Sequence, residues 1–462
     1  MNYHGQRFFD VDAVVPRYFV DQSGKGWIPI GCNLCFDRLY GSEGNDRNAC
    51  EKRFFSWMRE FAANGGNFLR LWLGHPFFEV MPDCPGAFDA AAAETLKKAV
   101  SLAEELGIRL KFTLEVFRKT IPPEDASYPP FFVRPLYAPF AKDMREFFES
   151  RKCFEIYLGK ARFLKTLGFG DSPAVFCWEL WNEINATDAT GAYERWSDNM
   201  LAELTSLFPR QLVVQNLGSF DGPGALHPYD QMAKTERNAF MQIHRYLDPG
   251  AALDACRGPM DILCADAIRE ILDRRPDRPA ILAETGAVKW CHTGPSELYD
   301  SDTEGVLLHD ALFAPFFAGS AGCGQPWHWD SYIARHGLWR HFRLFARAVE
   351  GLDPVEEAFR PFHTETRTVR VWGLHGRHTM AIWCRDKAST WERELRRRVP
   401  PAMFDGVELP FNSRNGFRVY LPWEDLTVDL PPGRCRLPSF RRSCVVRFTD
   451  GETSDIGIQR AL

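Results

Sequence analysis

An alternation of short apolar runs with amphipathic segments, from about residue 28 to 350, constrains the fold of this chain most strongly. The apolar runs predict eight strands, over residues 28–35, 67–73, 108–116, 174–184, 211–217, 240–246, 279–286 and 321–329. A 3.6-residue periodicity between them predicts helices over 51–63, 89–106, 147–167, 192–207, 260–274 and 303–318. Eight strands that alternate with helices are typical of an α/β fold, the (β/α)8 barrel. A doubly wound sheet would alternate in the same way, but no GxGxxG turn follows the first strand, so we favour the barrel.

After Pro354 the pattern changes to short segments that are rich in β-branched and aromatic residues. These segments cover residues 367–374, 379–384, 405–409, 416–430 and 441–448, and Gly, Pro, Asn and Asp separate them. Such spacing predicts a small antiparallel β domain. We therefore expect two domains, a barrel over residues 1–350 and a small β-sandwich-like domain over residues 351–462.

Composition and charge exclude several classes of protein. The 462 residues are 45% hydrophobic and 25% charged, which is typical of a globular chain, and the net charge of -5 argues against a nucleic-acid partner. No window approaches the ~20 apolar residues of a membrane span. Residues 1–15 lack the basic and apolar regions of a secretory signal, and the 13 cysteines are scattered. We expect buried thiols and a cytoplasmic protein, the alternative being a secreted chain that has lost its leader.

The fourth and seventh predicted strands each end in a carboxylate, at the position where barrel enzymes carry their catalytic residues. The fourth ends in WELWNE (178–183) and the seventh in LAETG (282–286). Strands four and seven of an eight-stranded barrel lie on opposite sides, so their end residues can point towards one another across the mouth. Glycoside hydrolysis requires two such carboxyl groups, one protonated for the leaving oxygen and one ionised for the anomeric carbon. The alternative for each glutamate is a structural role as a helix cap or loop anchor.

Two longer motifs make the comparison with a known family specific. AVFCWELWNEIN (174–185) resembles the acid/base motif of the clan A retaining glycoside hydrolases, and RPAILAETGA (278–287) resembles their nucleophile motif. Four further matches to the cellulase-like members, glycoside hydrolase family 5, are SGKGWIPIGCN (23–33), FLRLW (68–72), IHRY (243–246) and WHWD (327–330). Because these motifs occur in the family's order, the resemblance implies the barrel fold and a glycosidase acting on a carbohydrate substrate.

Carried over position by position, the resemblance implies that Glu183 is the general acid/base and Glu284 the nucleophile. Asn182 would hydrogen-bond the sugar 2-hydroxyl, an interaction that strengthens in the transition state. Tyr246 would donate to Glu284 and orient it, and Arg70 would help to keep that carboxylate ionised. Attack by Glu284 would form a covalent glycosyl-enzyme, which water opens with Glu183 as base. This mechanism uses no cofactor and no metal.

The remaining candidates carry less specific signals. His244 would line the floor of the site, and either Trp327 or Trp329 would form the platform under the sugar. Glu179 shares the inward parity of the acid/base but lies four residues deeper, which indicates a buried structural role. Family members often carry a histidine near the end of strand three, where this chain has Glu115, and both an ion pair and a sugar contact remain open for it.

The residues leave the reaction outcome and the sugar open. A transglycosidase would use the same covalent intermediate, and a non-catalytic carbohydrate-binding barrel would share the fold. Exo or endo action depends on whether residues 118–145 and 219–238 close the cleft. The oligomeric state is equally open.

Overall fold

The computed structural model describes residues 7–116 and 135–449. These residues form two compact units, one within residues 1–10, 31–220 and 224–243, and the other within 11–30, 221–223 and 244–462. Most of the segment 118–145, expected to flank the cleft, lies outside the described residues. The domain boundary after residue 350 stays a prediction.

The helices and strands of the described residues follow the predicted order. The strands are β1 Phe9–Val11, β2 Phe19–Asp21, β3 Gly26–Trp27, β4 Gly31–Cys32, β5 Phe68–Trp72, β6 Arg109–Val116, β7 Val175–Asn182, β8 Leu212–Val214, β9 Met241–Leu247, β10 Ala280–Ala287, β11 Arg360–Glu365, β12 Val369–His375, β13 Thr379–Asp386, β14 Met403–Phe404, β15 Glu408–Ser413, β16 Phe417–Leu421, β17 Leu426–Leu430, β18 Gly433–Arg436, β19 Phe440–Arg441 and β20 Ser443–Thr449. The α-helices are α1 Arg47–Ala63, α2 Ala90–Leu106, α3 Met144–Glu149, α4 Arg151–Thr166, α5 Ala192–Leu207, α6 Leu226–Ala233, α7 Met260–Arg274, α8 Leu298–Ser301, α9 Val306–Phe317, α10 Arg340–Val349 and α11 Pro354–Glu357.

The first unit is built on a parallel five-stranded sheet with the order β4-β5-β6-β7-β8. Every residue of β5, β6 and β7 is buried, as expected when both faces of a parallel sheet are covered. Phe112 of β6 lies opposite Trp178 of β7, which in turn lies opposite Val213 of β8. The carboxyl ends of these strands meet at one edge, and that edge carries Asn182.

The helices of this unit begin and end at residues with clear chemical reasons. Asp89 caps α2 by accepting a hydrogen bond from Ala92 N, and Gly107 ends it at φ 72°, the left-handed conformation that glycine adopts readily. The single helix predicted over 147–167 is instead two helices, α3 and α4. Ser150 separates them because its extended backbone ends α3 while its Oγ caps α4 at Cys153 N.

In the second unit, the segment 320–327 takes the place of the predicted eighth strand. Its backbone N–H groups donate to Ala280, Leu282 and Thr285 of β10 at 2.9–3.0 Å, and Cys323 N donates to Pro29 O at 3.0 Å. Gly322 lies against Pro29 so closely that a Cβ there would meet its carbonyl oxygen at 2.2 Å. The strand is therefore irregular, and the prediction that it extends to residue 329 is wrong because a π-helix begins at Trp329.

The C-terminal part of the second unit is an antiparallel β region, as predicted. Its six-stranded sheet has the order β11-β12-β13-β20-β16-β17, with the further pairs β15–β18 and β14–β19. Trp372 lies opposite Trp383, and Ile382 lies opposite Val446. Side chains of the large sheet and of β15 and β18 share one apolar core, which includes Ile382, Val446, Phe411 and Cys435. Burial of this core stabilises the region.

Two buried ion pairs join this β region to helices of the same unit. Arg370 donates two hydrogen bonds to Asp261 of α7 at 2.6 and 2.8 Å, and Arg385 donates two to Asp310 of α9 at 2.7 and 3.1 Å. Burial raises the pKa of Asp310 to about 6, although the Arg385 guanidinium opposes that rise. Paired and bidentate contacts are the form in which buried charges are tolerated.

A buried histidine in α10 predicts acid sensitivity. Burial lowers the pKa of His341 from 6.5 to about 3, although the hydrogen bond from its Nε2 to Glu304 O opposes the shift. Because the folded pKa is depressed, this stabilisation is complete above pH 6.5 and is lost as the pH falls towards 3. The free energy of unfolding should decrease by about 2 kcal/mol from this residue between pH 7 and pH 5.

Urea unfolding of His341→Asn at both pH values checks this prediction. In this variant the decrease in the free energy of unfolding between pH 7 and pH 5 should be smaller by about 2 kcal/mol. His375→Asn, at an exposed histidine, should show the same decrease as the wild type. An unchanged pH dependence in His341→Asn would contradict it.

Two further sequence expectations concern cysteines and membranes. Cys84 and Cys291 are exposed, and the other cysteines, including Cys32 and Cys35, are buried thiols. Within residues 7–116 and 135–449, the helices are too short or too polar to cross a bilayer.

Candidate active site

The end of β7 holds the predicted acid/base residue in an unusual backbone conformation. Glu183 follows the last strand residue with φ 53° and ψ 53°, a left-handed conformation that is uncommon for a residue other than glycine. Its N–H donates to Asn216 Oδ1 at 2.7 Å, and its carbonyl accepts from Ala186 N at 2.8 Å. Strain of this kind costs about 1–3 kcal/mol and is concentrated at functional sites. Glu183 is half-buried.

Asn182 is oriented by the arginine of β5. Arg70 donates from NH2 to Asn182 Oδ1 at 2.7 Å and from Nε to Thr113 Oγ1 at 3.0 Å, and all three side chains are buried. Because Oδ1 accepts this hydrogen bond, the Asn182 amide is fixed with its NH2 group directed elsewhere. The Arg70 guanidinium also donates to Glu179. The effect of Arg70 on Glu284, which the resemblance implies, stays a prediction.

Glu179 is a structural carboxylate, the role that its depth in the strand indicated. It forms ion pairs with Arg70 and, at 3.0 Å, with Lys111 Nζ, and it accepts from Thr113 Oγ1 at 2.8 Å and Gln242 Nε2 at 3.0 Å. Burial by itself would raise the pKa of Glu179, but the two cations outweigh burial and hold it well below its usual range. The carboxylate is therefore charged at neutral pH, and its ion pair with Arg70 holds the guanidinium in place.

Replacing Arg70 by Met should destabilise the fold strongly. The variant leaves the fully buried Glu179 with one cation instead of two, and breaking a buried pair typically costs about 3–5 kcal/mol. Urea unfolding measures the loss, and Arg59→Met, on the exposed face of α1, should change the free energy of unfolding by less than about 0.5 kcal/mol. A loss below about 1 kcal/mol for Arg70→Met would contradict this account.

The structure decides Glu115 in favour of an ion pair. Its carboxylate lies 3.4 Å from Lys160 Nζ, which also pairs with Glu79 at 3.0 Å, and all three side chains are buried. Trp72 and His75, near the end of β5, are buried as well, and the His75 ring stacks on a phenylalanine. These side chains belong to the core, whereas Trp290, after β10, is 64% exposed.

The predicted nucleophile lies near the end of β10 and is held from β9. Glu284 is buried, and the Tyr246 hydroxyl donates to its Oε2 at 2.6 Å. His244 Nδ1 lies 3.5 Å from the same oxygen. Residues 244 and 246 point to the same face of β9 because strand side chains alternate. The carboxylate is therefore fixed in orientation by two side chains of the neighbouring strand.

Of the two candidate tryptophans, only one can present a face to a ligand. Trp329 is fully buried, whereas Trp327 is partly exposed, and their rings meet edge to face at 5.4 Å. Trp327 N also donates to Thr285 O at 3.0 Å. This hydrogen bond holds the backbone of Trp327 beside the residue that follows Glu284. The exposed indole makes Trp327 the platform candidate.

Sequence reasoning missed a tyrosine–histidine pair behind β10. Tyr299 Oη accepts from Ala287 N at 2.6 Å and lies 3.0 Å from His328 Nδ1. Gly286, at φ 147°, permits this approach, since a Cβ there would lie 2.6 Å from the Tyr299 hydroxyl. The glycine in LAETG was the available signal, but it does not reveal its partner.

A second group of ligand-type side chains lies near Tyr246. Asp221, Asp248 and His292 place ligand atoms within 4.8 Å of one another, and the His292 ring packs against Tyr246 at 4.8 Å. Carboxylate oxygens and an imidazole nitrogen can together hold a divalent cation. No motif in the sequence pointed to this group, because its members come from three separate loops.

Comparisons with known proteins bear on the fold. No protein-family model and no curated protein sequence matches the chain. A solved structure described as a glycoside hydrolase superimposes with a TM-score of 0.59 at 10% identity, over 96% of this chain and 97% of that one. A glycoside hydrolase family 5 structure from Bacteroides vulgatus gives 0.57 at 12% identity, over 99% and 95%. An endo-β-1,4-mannanase from Thermotoga petrophila gives 0.50 at 14% identity, over 92% and 98%.

These likenesses extend over nearly the whole chain, including its C-terminal β region. At identities of 10–14% they bear on the fold alone. The motifs quoted above had indicated the same family from short segments. The cellulase-like, family 5-like resemblance is thereby confirmed, and the chain has the fold of these glycoside hydrolases.

Proposed function

We propose that this protein is a retaining β-glycosidase that acts on an oligosaccharide or a glycoside. The observation that carries the proposal is Glu284, a buried carboxylate near a strand end that Tyr246 and His244 hold in one orientation. A nucleophile requires such fixed geometry, because misplacement by about 1 Å can cost 10²-fold in rate. The strained Glu183 after β7 supplies the second carboxyl group.

The proposal includes a closed (β/α)8 barrel over residues 1–350, followed by the β domain over 351–462. Two hydrogen bonds beyond the regular strand ladders support it, from Ala239 N to Val213 O and from Cys323 N to Pro29 O. The first continues the parallel sheet past β8, and the second joins the segment after β10 to the segment that leads into β4. In such barrels the strand carboxyl ends carry the chemistry.

In the proposed reaction, the Glu183 carboxylic acid gives its proton to the leaving-group oxygen while Glu284 attacks the anomeric carbon. The glycosidic bond breaks, and a covalent bond between Glu284 and the sugar forms with inversion. Glu183, now a carboxylate, takes a proton from water, which attacks the same carbon and releases Glu284. Two inversions give net retention, which requires carboxyl groups about 5–5.5 Å apart.

Two side chains are proposed to bind the sugar at the cleavage point. Because Asn182 Oδ1 accepts from Arg70, its NH2 group is available to donate to the sugar 2-hydroxyl. That hydrogen bond strengthens as positive charge develops on the sugar ring. Trp327 would lie under the apolar face of the sugar, since its ring is the exposed member of the tryptophan pair.

Release of nitrophenol from aryl β-glycosides tests the proposal. The panel contains gluco, manno, galacto, xylo and fuco sugars, and a β-mannoside is included because one structure of similar fold is a mannanase. Turnover of one sugar that Glu284→Gln abolishes, with retention shown by NMR of the first-formed product, would support it. An inverted product would contradict the mechanism, and binding of sugars without turnover would indicate a carbohydrate-binding protein. Product analysis with an added sugar acceptor separates hydrolysis from transglycosylation.

A further inference from the structure

We propose that a cavity in the second unit, lined by α7, β11 and β12, binds a small organic acid, a carboxylate carried on an apolar body. The cavity has a volume of about 560 Å³, within the range of small-molecule sites. Its walls include Leu272 and Asp273 of α7, Phe362 of β11 and Trp372 of β12. The proposed glycosidase mechanism uses none of these residues.

An arginine in the cavity wall calls for an anion. Arg17 lines the cavity, and its Nε and one terminal NH2 are buried without a hydrogen-bond acceptor in the part of the chain that the structure describes. Leaving a buried donor unsatisfied is unfavourable, and more so for a charged group. A carboxylate bound in the cavity would place a compensating negative charge beside this guanidinium.

The backbone makes room for this guanidinium. Gly319, at φ 105°, follows the cavity residue Ala318, and a Cβ at position 319 would lie 2.8 Å from Arg17 NH2. A side chain here would displace the arginine from its position. Glycine at this one place thus lets the charged group lie against the main chain.

Further polar groups of the cavity favour the same charge. Arg360 lines it without an ion-pair partner among residues 7–116 and 135–449, whereas Arg269 is already paired with Asp266. Asp273 is the acidic group of the lining, so cationic side chains outnumber it. A single carboxylate therefore complements the lining better than a neutral or cationic ligand.

The remaining walls favour an apolar body over a sugar. Leu272, Pro276, Pro361 and Phe362 contribute hydrocarbon, and the His363 ring packs over Trp372 at 4.2 Å. Apolar side chains with a few convergent polar groups are the usual lining of small-molecule sites. A hydroxyl-rich ligand would lose its hydration against these apolar side chains, which offer it no hydrogen bonds.

Isothermal titration of the full chain with 4-phenylbutyrate, octanoate and indole-3-acetate tests the proposal independently of catalysis. At least one acid should bind with a Kd below about 1 mM. Two control ligands should each bind at least about tenfold more weakly than the tightest-binding acid. They are 4-phenylbutyramide, which lacks the charge, and acetate, which lacks the apolar body. Retained binding with lost glycosidase activity, or the reverse, keeps this proposal distinct from the proposed function.

Three variants assign the site. Arg17→Met and Arg360→Met should each weaken binding of the acid by about tenfold or more. Arg59→Met, on the exposed face of α1, should leave binding unchanged. Thermal unfolding shows whether each variant is folded. If Arg17→Met does not fold, the binding measured for Arg360→Met tests the site. The proposal is overturned if none of the acids binds the wild type, if the amide binds as tightly as the acid, or if folded arginine variants bind unchanged.

Discussion

Glu284→Gln is expected to lower kcat on the order of 10⁴- to 10⁶-fold, the size of loss seen when one member of a coupled catalytic set is removed. The amide keeps the shape and the contact with Tyr246, but it cannot form the covalent bond to the sugar. The fold should be preserved, because Gln can accept the same hydrogen bond from the Tyr246 hydroxyl. Turnover of the best aryl glycoside measures the effect.

Rescue by azide makes this prediction specific for a nucleophile. In Glu284→Gly, azide should occupy the vacated space and attack the anomeric carbon directly, which gives the glycosyl azide of inverted configuration. The control is Glu297→Gln, at an exposed glutamate that pairs loosely with Lys289, and it should keep wild-type activity. Comparable activity in Glu284→Gln and Glu297→Gln would remove Glu284 from the mechanism.

Glu183→Gln should show a loss that depends on the leaving group. General acid catalysis contributes about 10²- to 10⁴-fold, so kcat/KM should fall by that factor for a poor leaving group such as an alkyl glycoside. Dinitrophenolate departs without protonation. For a dinitrophenyl glycoside, formation of the glycosyl-enzyme should therefore be nearly unaffected. Loss of base catalysis should then make the glycosyl-enzyme accumulate, because water attacks it slowly.

A burst of dinitrophenol in rapid-mixing kinetics measures that accumulation. Added azide should restore steady turnover of Glu183→Gln and give the azide of retained configuration, the opposite of the product expected from the Glu284 variant. Glu115→Gln tests whether any glutamate at a strand end behaves in this way. It should lose stability through its ion pair with Lys160 without changing the leaving-group dependence. Equal losses of Glu183→Gln for both leaving groups would exclude it as the acid.

The opposite configurations of the two rescued products separate the roles more firmly than rates do. A variant that is merely destabilised loses activity towards all substrates in proportion to the folded fraction. Neither a leaving-group dependence nor a change of product configuration follows from partial unfolding. The two glutamates are therefore tested by chemistry that a structural role could not produce.

Local signals were sufficient for much of the fold. The helical periodicity predicted α5 and α7 with the bounds that the structure shows, because an amphipathic face repeats in the sequence itself. The end predicted for the helix over 89–106 is also correct, because Gly107, which follows it, needs only its own backbone angle to end the helix. The motifs ending in Glu183 and Glu284 were visible for the same reason, as each lies within one strand and its following turn.

Other features depended on contacts between distant segments. The position of Arg70 on Glu179 joins residues 109 apart in the chain, and nothing in FLRLW specifies that partner. The choice between Trp327 and Trp329 depended on which ring neighbouring segments cover.

The sequence by itself determined the element order and the strand-end carboxylates, because these depend on residues close together in the chain. Only the tertiary structure decided which side chains meet. Charge compensation at Glu179 and the unsatisfied Arg17 in its cavity both arise between separate elements. The physical reason is that burial, and with it the strength of each charge and hydrogen bond, is a property of the assembled chain.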